Sequence, residues 1–552
     1  MKHTNWHKDA VIYQIYPRSF CDGNNDGLGD IPGIISKLDY LKELGVNCVW
    51  LSPVYDSPQE DNGYDISNYR DIYKPFGTLD DFKVMLDEMH KRGIRLIMDL
   101  VVNHTSSEHP WFKSAISDKN SPYRDYYIIK KGRKNGTKAP NNWTGFFGEG
   151  AWQRIGDSED YYLRLFAKGQ PDLNWENPKV REEVKDILRY WLDMGVDGFR
   201  CDVITLISKD QRFKSVPPTI ALAGRKYFVN GPRLHEFLHE LYKDVYVNYD
   251  CMTVGETVLS TLEQARDLVE PHREELTMVF NFDHTDTDNH FGIKWFYKKF
   301  KLTNLKKVVN KWQQGLYGRG WNSLFIENHD QRRCVGRFNT DDKKYREVSA
   351  KMLGTTYFFL QGTPFIYEGQ ELGMTNGDFA SLDDFVDVET HNIHALGEKI
   401  KILKPFLKKT LFQCSRDNAR TPVQWDDSEY AGFSNVKPWI KVNANKSFIN
   451  AKKEMKDENS IFHYYQKLIS LRKGDEVIKD GKYTDLLPHS KKVFAYQREL
   501  DGKVFIVLSN FTNKTVKNPL FNELNGYKLI LSNYNNTNGT LEPFETRIYK
   551  NY

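Results

Sequence analysis

RLIMDLVVNH, residues 95–104, is an apolar run that closes on an acid and an Asn-His pair. Its body predicts a β-strand over Arg95 to Asn103. Upstream, Leu79 to Arg92 predicts a helix, and Thr78-Leu79-Asp80-Asp81 supplies its N-cap. Before that helix, NCVWLSP (Asn47 to Pro53) predicts a second strand, Ile31 to Leu44 a helix and Ala10 to Tyr16 a first strand. Downstream the rhythm breaks over 105–174, which are rich in Ser, Asn, Lys, Gly, Trp and Tyr. It resumes with a helix at Pro178 to Asp193 and a strand at Gly198 to Ile204. Further strands fall at Cys251 to Glu256, Leu276 to Phe282, Leu324 to Asn328 and Pro364 to Gly369. Helices fall between them at Arg233 to Tyr246, Asn304 to Gln314 and Tyr345 to Leu360. Strand and helix in alternation imply a parallel sheet, and eight strands close a (β/α)8 TIM barrel. After residue 480 the pattern changes to β-type alternation with turns, at Lys491 to Glu499, Lys503 to Asn510 and Tyr527 to Leu531. The expected organisation is therefore a barrel over 1–104 and 175–480, a lobe inserted over 105–174, and a C-terminal antiparallel β-sandwich over 481–552.

The composition removes several function classes. The 552 residues hold 78 Lys and Arg against 74 Asp and Glu, a net charge of +4. That balance provides no basic face for nucleic acid. Mean hydropathy is −0.64, and no apolar run reaches the 18 or so residues of a membrane span. The polar N-terminus lacks an apolar signal core, and the cysteines, Cys21, Cys48, Cys201, Cys251, Cys334 and Cys414, show no paired spacing. Both features predict a cytoplasmic protein with reduced thiols. Aromatic residues make up 14%, the one compositional feature that hints at a specific ligand.

In a barrel of this kind, residues just past the C-terminal strand ends share one mouth. Those positions hold Asp99 with Asn103-His104, Arg200 with Asp202, Glu256, and His329-Asp330. Any one such acid is an ordinary turn former. Several together repel at neutral pH unless one is protonated or a cation is near, so the set is an acid/base or metal site. Paired carboxyls suit glycoside cleavage, one protonating the leaving oxygen and the other attacking the anomeric carbon.

The segments DLVVNH (99–104), GFRCDVIT (198–205), TVGET (253–257) and ENHDQ (327–331) resemble the signature regions of the α-amylase family, glycoside hydrolase family 13. QPDLNWENP (170–178) and SRDNARTPVQW (415–425) are similar to its oligo-1,6-glucosidase group, and the likeness runs in order over nearly the whole chain. The resemblance implies a retaining double displacement with Asp202 as nucleophile, Glu256 as general acid/base and Asp330 as the third carboxylate, gripping the sugar hydroxyls. Arg200 would hold Asp202 ionised, His104 and His329 would bind glucose hydroxyls, and Asp99 would support the site. DNGYDISNY (61–69) resembles the loop that closes the pocket of an exo-acting enzyme, with Tyr64 stacking on the sugar and Asp61 binding its hydroxyls. The resemblance pairs Asp61 with an arginine of the 415–425 segment, either Arg416 or Arg420. Val203, after the nucleophile, accompanies α-1,6 preference in this group. Arg332 and Arg333 depart from the group's Pro-Arg and open the acceptor side to a phosphorylated sugar.

Two further motifs concern metals. Asp22 to Asp30 spaces oxygen atoms at alternate positions as a calcium loop does, yet position twelve is Gly33, so it is no EF-hand. It resembles the structural Ca2+ loop of the oligo-1,6-glucosidase group, with Asp22, Asn24, Asp26 and Asp30 as side-chain ligands and Leu28 through its carbonyl. His235-Glu236-Phe237-Leu238-His239 matches the H-E-x-x-H zinc signature, but Leu234, Leu238 and Leu241 suit a helix packed on the barrel. The sequence thus predicts an α-glucosidase that needs no organic cofactor and removes terminal α-1,6-linked glucose from small oligosaccharides, with no nucleic-acid or membrane partner. Trehalose-6-phosphate hydrolase, dextran glucosidase, and sucrose hydrolase or isomerase are the alternatives within the family. A catalytically inactive transporter-associated homologue is the non-enzyme alternative, and the oligomeric state is left open.

Overall fold

The computed structural model describes residues 4–219, 221–290, 292–400, 404–535 and 538–552. Eight parallel strands follow one another: β1 (Ile12–Ile15), β2 (Cys48–Leu51), β3 (Arg95–Leu100), β4 (Gly198–Cys201), β5 (Met252–Glu256), β6 (Met278–Phe280), β7 (Ser323–Leu324) and β8 (Thr363–Tyr367). They pair in the order β6-β5-β4-β3-β2-β1-β8-β7, and a parallel bridge from Val279 to Asn322 closes β6 onto β7. Each strand is followed by a helix of the outer ring: α1 (Leu38–Leu44), α2 (Leu79–Lys91), α3 (Pro178–Met194), α4 (Leu234–Asp244), α5 (Leu262–Asp267), α6 (Leu302–Leu316), α7 (Arg346–Phe358) and α8 (Ile461–Arg472). The expected TIM barrel is the observed one.

The barrel interior is a separate apolar cluster that includes Ile12, Cys48, Trp50, Ile97, Met252, Val254, Phe280 and Phe365. Their neighbours along the strands, such as Tyr13, Val49, Leu96, Phe199 and Ile366, pack outward in the larger core with the helices. Side chains alternate across a strand with period two. Continuing the inward phase one step beyond the apolar layers therefore selects Gln14, Ser52, Asp99, Asp202 and Glu256. The polar floor of the barrel mouth is the next inward layer of the same strands.

Three local differences from the sequence expectation have physical causes. The predicted helix over 31–44 is two helices, Ile31–Ile35 and Leu38–Leu44, because the Ser36 hydroxyl bonds back to the Gly33 carbonyl at 2.7 Å and ends the first. The seventh strand is two residues instead of the predicted Leu324 to Asn328. Beyond it, Asn328 Oδ1 accepts the Asp330 N–H at 2.9 Å and Glu327 accepts the Cys334 N–H at 2.5 Å, so side chains claim the backbone groups a longer strand would need. Two helices between β8 and α8, Val388–Lys399 and Lys404–Cys414, carry no strong apolar stripe and have no counterpart among the predicted elements.

The lobe between β3 and α3 holds a helix, Pro110–Ser117, and a three-stranded antiparallel sheet ordered Ile129–Lys131, Asp160–Leu163, Trp152–Arg154. It is pinned to the barrel by a buried pair, Lys209 Nζ to Asp172 at 2.7 Å, and by a bridge between His104 and Asp172. The C-terminal region is a five-stranded antiparallel sheet, β9 (Lys482–Asp485), β10 (Val493–Leu500), β11 (Lys503–Asn510), β12 (Lys528–Ser532) and β13 (Thr546–Lys550), in the order β9-β10-β11-β13-β12. One face, with Phe494, Tyr496, Phe505, Val507 and Ile548, joins the main core. The other, with Val493, Ala495, Ile506 and Leu508, packs with Leu520 and Leu541, the latter on a two-stranded ribbon. The result is a sandwich of unequal sheets. Helix α7, buried all round, lies against β11 and β13.

Candidate active site

Arg200 on β4 organises the mouth. Register pairs it with Asp99 on β3 and with Val254 on β5, two residues before Glu256. Its guanidinium is 2% exposed and donates to Asp99 Oδ1 at 2.6 Å and Asp202 Oδ1 at 2.7 Å through Nη1, and lies 2.7 Å from Glu256 Oε2 through Nη2. Asp202 Oδ2 and Glu256 Oε1 are left unbonded by it. Burial pushes the Asp99 carboxyl up to about 6 against the pull of Arg200. Burial also raises Asp202, again opposed by Arg200. Burial raises Asp99 and Asp202 while Arg200 opposes both, the kind of opposed setting in which acid/base sites place their carboxyls.

Val203, directly after Asp202, has φ 35° and ψ 38°, the left-handed region that a β-branched residue strongly disfavours. Such a conformation costs on the order of 1–3 kcal/mol and persists only when its surroundings enforce it. Its side chain is buried with Trp143, Leu206 and Phe228. Its N–H donates to Glu256 Oε2 at 2.9 Å.

The outer side of the mouth is built from loops. Asp61 and Tyr64 flank Asn62 (φ 52°) and Gly63 (φ 99°), two consecutive left-handed residues, and the Tyr64 N–H bonds the Asp61 carbonyl at 3.2 Å. This is the type I′ turn that Asn-Gly favours. The turn is fixed from below by Asp65, which accepts from the Glu60 and Asp61 N–H groups at 2.8 and 3.1 Å. Tyr64 lies parallel to His329, ring centres 5.4 Å apart, with its hydroxyl 2.8 Å from His329 Nε2. Gln14 Nε2 is 2.8 Å from His329 Nδ1. An amide nitrogen can only donate, so Nδ1 accepts and the ring's proton sits on Nε2. Burial holds His329 down at about 3 and His104 at about 4, so both imidazoles are neutral.

Asp330 meets Arg420 Nη2 at 2.8 Å, Arg416 Nη1 at 3.3 Å and His329 Nε2 at 3.2 Å. Its recessed position alone would raise it, but His329, Arg416 and Arg420 hold it well below the usual carboxylate range. Its side chain is 32% exposed, more than any other acid of the cluster, so it faces the open pocket. Of the two arginines left open by the sequence, Arg416 is the one that reaches Asp61, at 3.2 Å. Arg420 instead bonds the His329 carbonyl at 2.9 Å. Burial pushes Asp61 up to about 6, with Arg416 and Arg420 opposing.

These residues come together at one mouth: Asp61, Tyr64, His104, Arg200, Asp202, Glu256, His329, Asp330, Arg416 and Arg420. Such a constellation, a caged carboxyl pair beside neutral imidazoles and a third acid held by arginines, suits proton transfer and nucleophilic attack on a neutral polyhydroxyl ligand. The α-amylase catalytic-domain model matches residues 14–481 of the sequence. The chain belongs to the α-amylase family. It is 52% identical over 99% of both chains to the oligo-1,6-glucosidase of Parageobacillus thermoglucosidasius. It is 46% identical, over 100% of this chain and 99% of the relative, to the trehalose-6-phosphate hydrolase of Bacillus subtilis (strain 168). The crystal structure of isomaltulose synthase from Klebsiella sp. LX3 superposes with a TM-score of 0.95 at 41% identity and full coverage of both chains. As a member of the α-amylase family with this carboxylate set in place, the protein is a glycoside hydrolase.

Several residues of this family member's site were not singled out from sequence. Asp387 accepts from Arg416 Nε and Nη2 at 2.9 and 2.6 Å and is wholly buried. It also caps the helix Val388–Lys399 through the Thr390 N–H, and in sequence it shows only that ordinary cap signal. Trp50 donates to Asp99 Oδ2 at 2.9 Å, and the lobe brings Phe147 over Arg416 and Phe166 against His104. The departures also resolve. Arg332 is bound to buried Asp288 and lies over Tyr297, and Arg333 is spent on Glu327, the Glu368 carbonyl and the Ala419 carbonyl. Neither faces the acceptor side as a free cation. The H-E-x-x-H residues go to separate partners: His235 to Glu275, Glu236 to Arg233 and His239 to the Arg273 carbonyl. In the 22–30 loop, Asp22 accepts from the N–H groups of Asn24, Asn25 and Gly27 and from Ser434, and Asp30 from those of Gly23, Asn24 and Gly33. Among the described residues, no three His, Cys, Asp or Glu side chains converge as a metal group, and no helix is long and apolar enough to cross a membrane.

Proposed function

We propose that the protein is a retaining, exo-acting α-glucosidase that removes terminal α-1,6-linked glucose from short oligosaccharides such as isomaltose. The observation that carries it is the single guanidinium of Arg200 tying Asp202 and Glu256 together, with a free oxygen left on each. In the first step, Asp202 Oδ2 attacks the anomeric carbon as the glycosidic C–O bond breaks, and Glu256 passes its proton to the leaving oxygen. In the second, Glu256 takes a proton from water, whose oxygen displaces Asp202 and frees glucose. Asp330, His104, His329 and the Asp61–Arg416 pair bind the glucose hydroxyls, and Tyr64 stacks on the ring. The α-1,6 preference is supported by the oligo-1,6-glucosidase likeness and by Val203. The phosphorylated alternative loses its sequence support, since Arg332 and Arg333 are spent on internal partners.

Asp202→Asn and Glu256→Gln are each expected to lower kcat on isomaltose by at least about a thousandfold with the fold intact. Near-normal turnover by either variant sinks the assignment. Rates on isomaltose, panose, maltose, sucrose and trehalose 6-phosphate separate the specificities, and a preference for the last overturns the α-1,6 proposal. We also propose a structural Ca2+ held by Asp22, Asn24, Asp26, the Leu28 carbonyl and Asp30. Its support is the alternate spacing of oxygen-bearing residues over 22–30. A chelator should lower Tm and added Ca2+ restore it; an unchanged Tm and no bound metal by mass spectrometry would remove the ion. A cytoplasmic location is proposed too, supported by six cysteines that form no disulfide, and fractionation of the source cells tests it.

A further inference from the structure

The chain is anchored on both sides of the Asp202 Cα, through two successive peptide units. The Asp202 N–H bonds the Leu100 carbonyl of β3 at 3.0 Å, and the Val203 N–H bonds Glu256 Oε2 at 2.9 Å. From there the chain enters the turn Ile204–Leu206 with Val203 at φ 35°. Part of that strain is offset locally, since the Val203 carbonyl accepts the Leu206 N–H at 2.8 Å and the side chain packs with Trp143, Leu206 and Phe228. What the geometry delivers is an N–H aimed at the acid/base carboxyl. Together with the ion pair to Arg200 Nη2 at 2.7 Å, that N–H occupies Glu256 Oε2, while among the described residues no hydrogen bond is made to Oε1.

We infer that the main-chain N–H of Val203 is a positioning group for the reaction: it pins Glu256 by Oε2, so that the transferable proton resides on Oε1, and its strained backbone exists to present that N–H. A donor on Oε2 favours the ionised carboxylate that the first step leaves and the second step needs as base. The residue thus acts through its backbone, separately from any effect of its side chain on linkage choice. The inference rests on Glu256 being the general acid/base.

The test removes the N–H alone. Val203 is replaced by the isosteric α-hydroxy acid through nonsense suppression, converting one amide to an ester, and kcat/KM for isomaltose is followed against pH. The alkaline limb, which reports loss of the general acid's proton, is expected to move to higher pH by roughly half a unit or more, because a bond favouring the carboxylate is lost. Val203→Gly and Val203→Ala keep the N–H and should leave that limb in place, whatever they do to rate or linkage preference. An unmoved limb in the ester variant, or an equal shift in Val203→Gly, overturns the inference. Failure of the underlying assignment reads differently. If Glu256 is the acid, Glu256→Gln loses far more activity on isomaltose than on an aryl α-glucoside whose phenolate leaves without a proton. Equal losses on both would remove Glu256 from that role and leave the Val203 geometry without a catalytic partner.

Discussion

Arg416 and Arg420 are four positions apart and hold different things. Arg416 joins Asp61, Asp330 and Asp387, three acids from three separate chain segments. Arg420 is 1% exposed and is bound to the His329 carbonyl as well as Asp330. Replacing Arg416 by Ala takes the cation from the pocket acids and from wholly buried Asp387, so KM for isomaltose should rise about ten- to a hundredfold, equivalent to roughly 1.5–3 kcal/mol, and Tm should fall by several degrees. Arg420→Ala should also lower Tm, since a buried carbonyl and a carboxylate lose their donor, but with a smaller effect on KM because Arg420 does not reach Asp61. Steady-state kinetics and thermal unfolding on both variants check the division. Residues of this site were legible in the sequence where a strand end placed them. Glu256 sits one step beyond the apolar layer of its own strand and Asp202 one step beyond Gly198 and Arg200, and that phase is written in the alternation. Asp387 was not legible, because its contact with Arg416 is made across the fold while its sequence context shows a helix cap. The choice between Arg416 and Arg420 was equally closed, since both flank the same short turn and only packing separates them.

Elements were readable where one pattern dominated. The strands of the barrel are short apolar runs, and all eight appear. The seventh was overestimated because Phe325 and Ile326 look like strand, while Glu327 and Asn328 redirect the backbone with their own side chains. The turn after β8 contains a feature no pattern announces. Glu371 is wholly buried, and its Oε1 accepts from Tyr13 and Tyr40 hydroxyls at 2.9 and 2.7 Å. Burial drives it up to about 7, with the two tyrosine bonds opposing. Its folded-state value lies above the unfolded one, so its contribution to stability is complete below about pH 4.5 and is lost as pH rises through 7. Glu371→Gln keeps an oxygen for the tyrosines and removes the titration. Urea unfolding between pH 5 and pH 8 should show a loss of stability in the parent that is smaller in the variant, and a group displaced tenfold in its proton affinity accounts for about 1.4 kcal/mol of that difference. Equal slopes in both would deny the glutamate this role.

At the level of the molecule, the sequence conveyed a barrel, a lobe and a β-rich end, because the rhythm changes at each junction. How the lobe is held was hidden, for Lys209 and Asp172 lie in different segments and neither is unusual alone. Their side chains are 1% and 0% exposed, and Lys209 also bonds Asn103 Oδ1 at 2.7 Å, next to His104. Removing one partner of a buried pair leaves the other charge uncompensated and costs about 3–5 kcal/mol. Lys209→Met should therefore lower Tm markedly, and limited proteolysis should cut first within 105–174. Protection of that segment equal to the parent's would count against the pin.

The barrel's closing seam has a consequence for how the active enzyme is assembled. Strand β7 is two residues long, and it meets β6 through one backbone bridge, Val279 to Asn322, and two side-chain bonds, Ser323 Oγ to the Val279 carbonyl at 2.9 Å and Asn281 Nδ2 to Asn322 Oδ1 at 3.0 Å. Asp202 follows β4 directly and Glu256 ends β5, in the continuous part of the wall, whereas Asp330 stands on the chain just past the seam. Local opening samples the least-bonded places first. With Asp202 and Glu256 in the proposed bond-breaking roles and Asp330 in the proposed sugar-binding one, opening of the barrel at this seam would disturb substrate capture before chemistry.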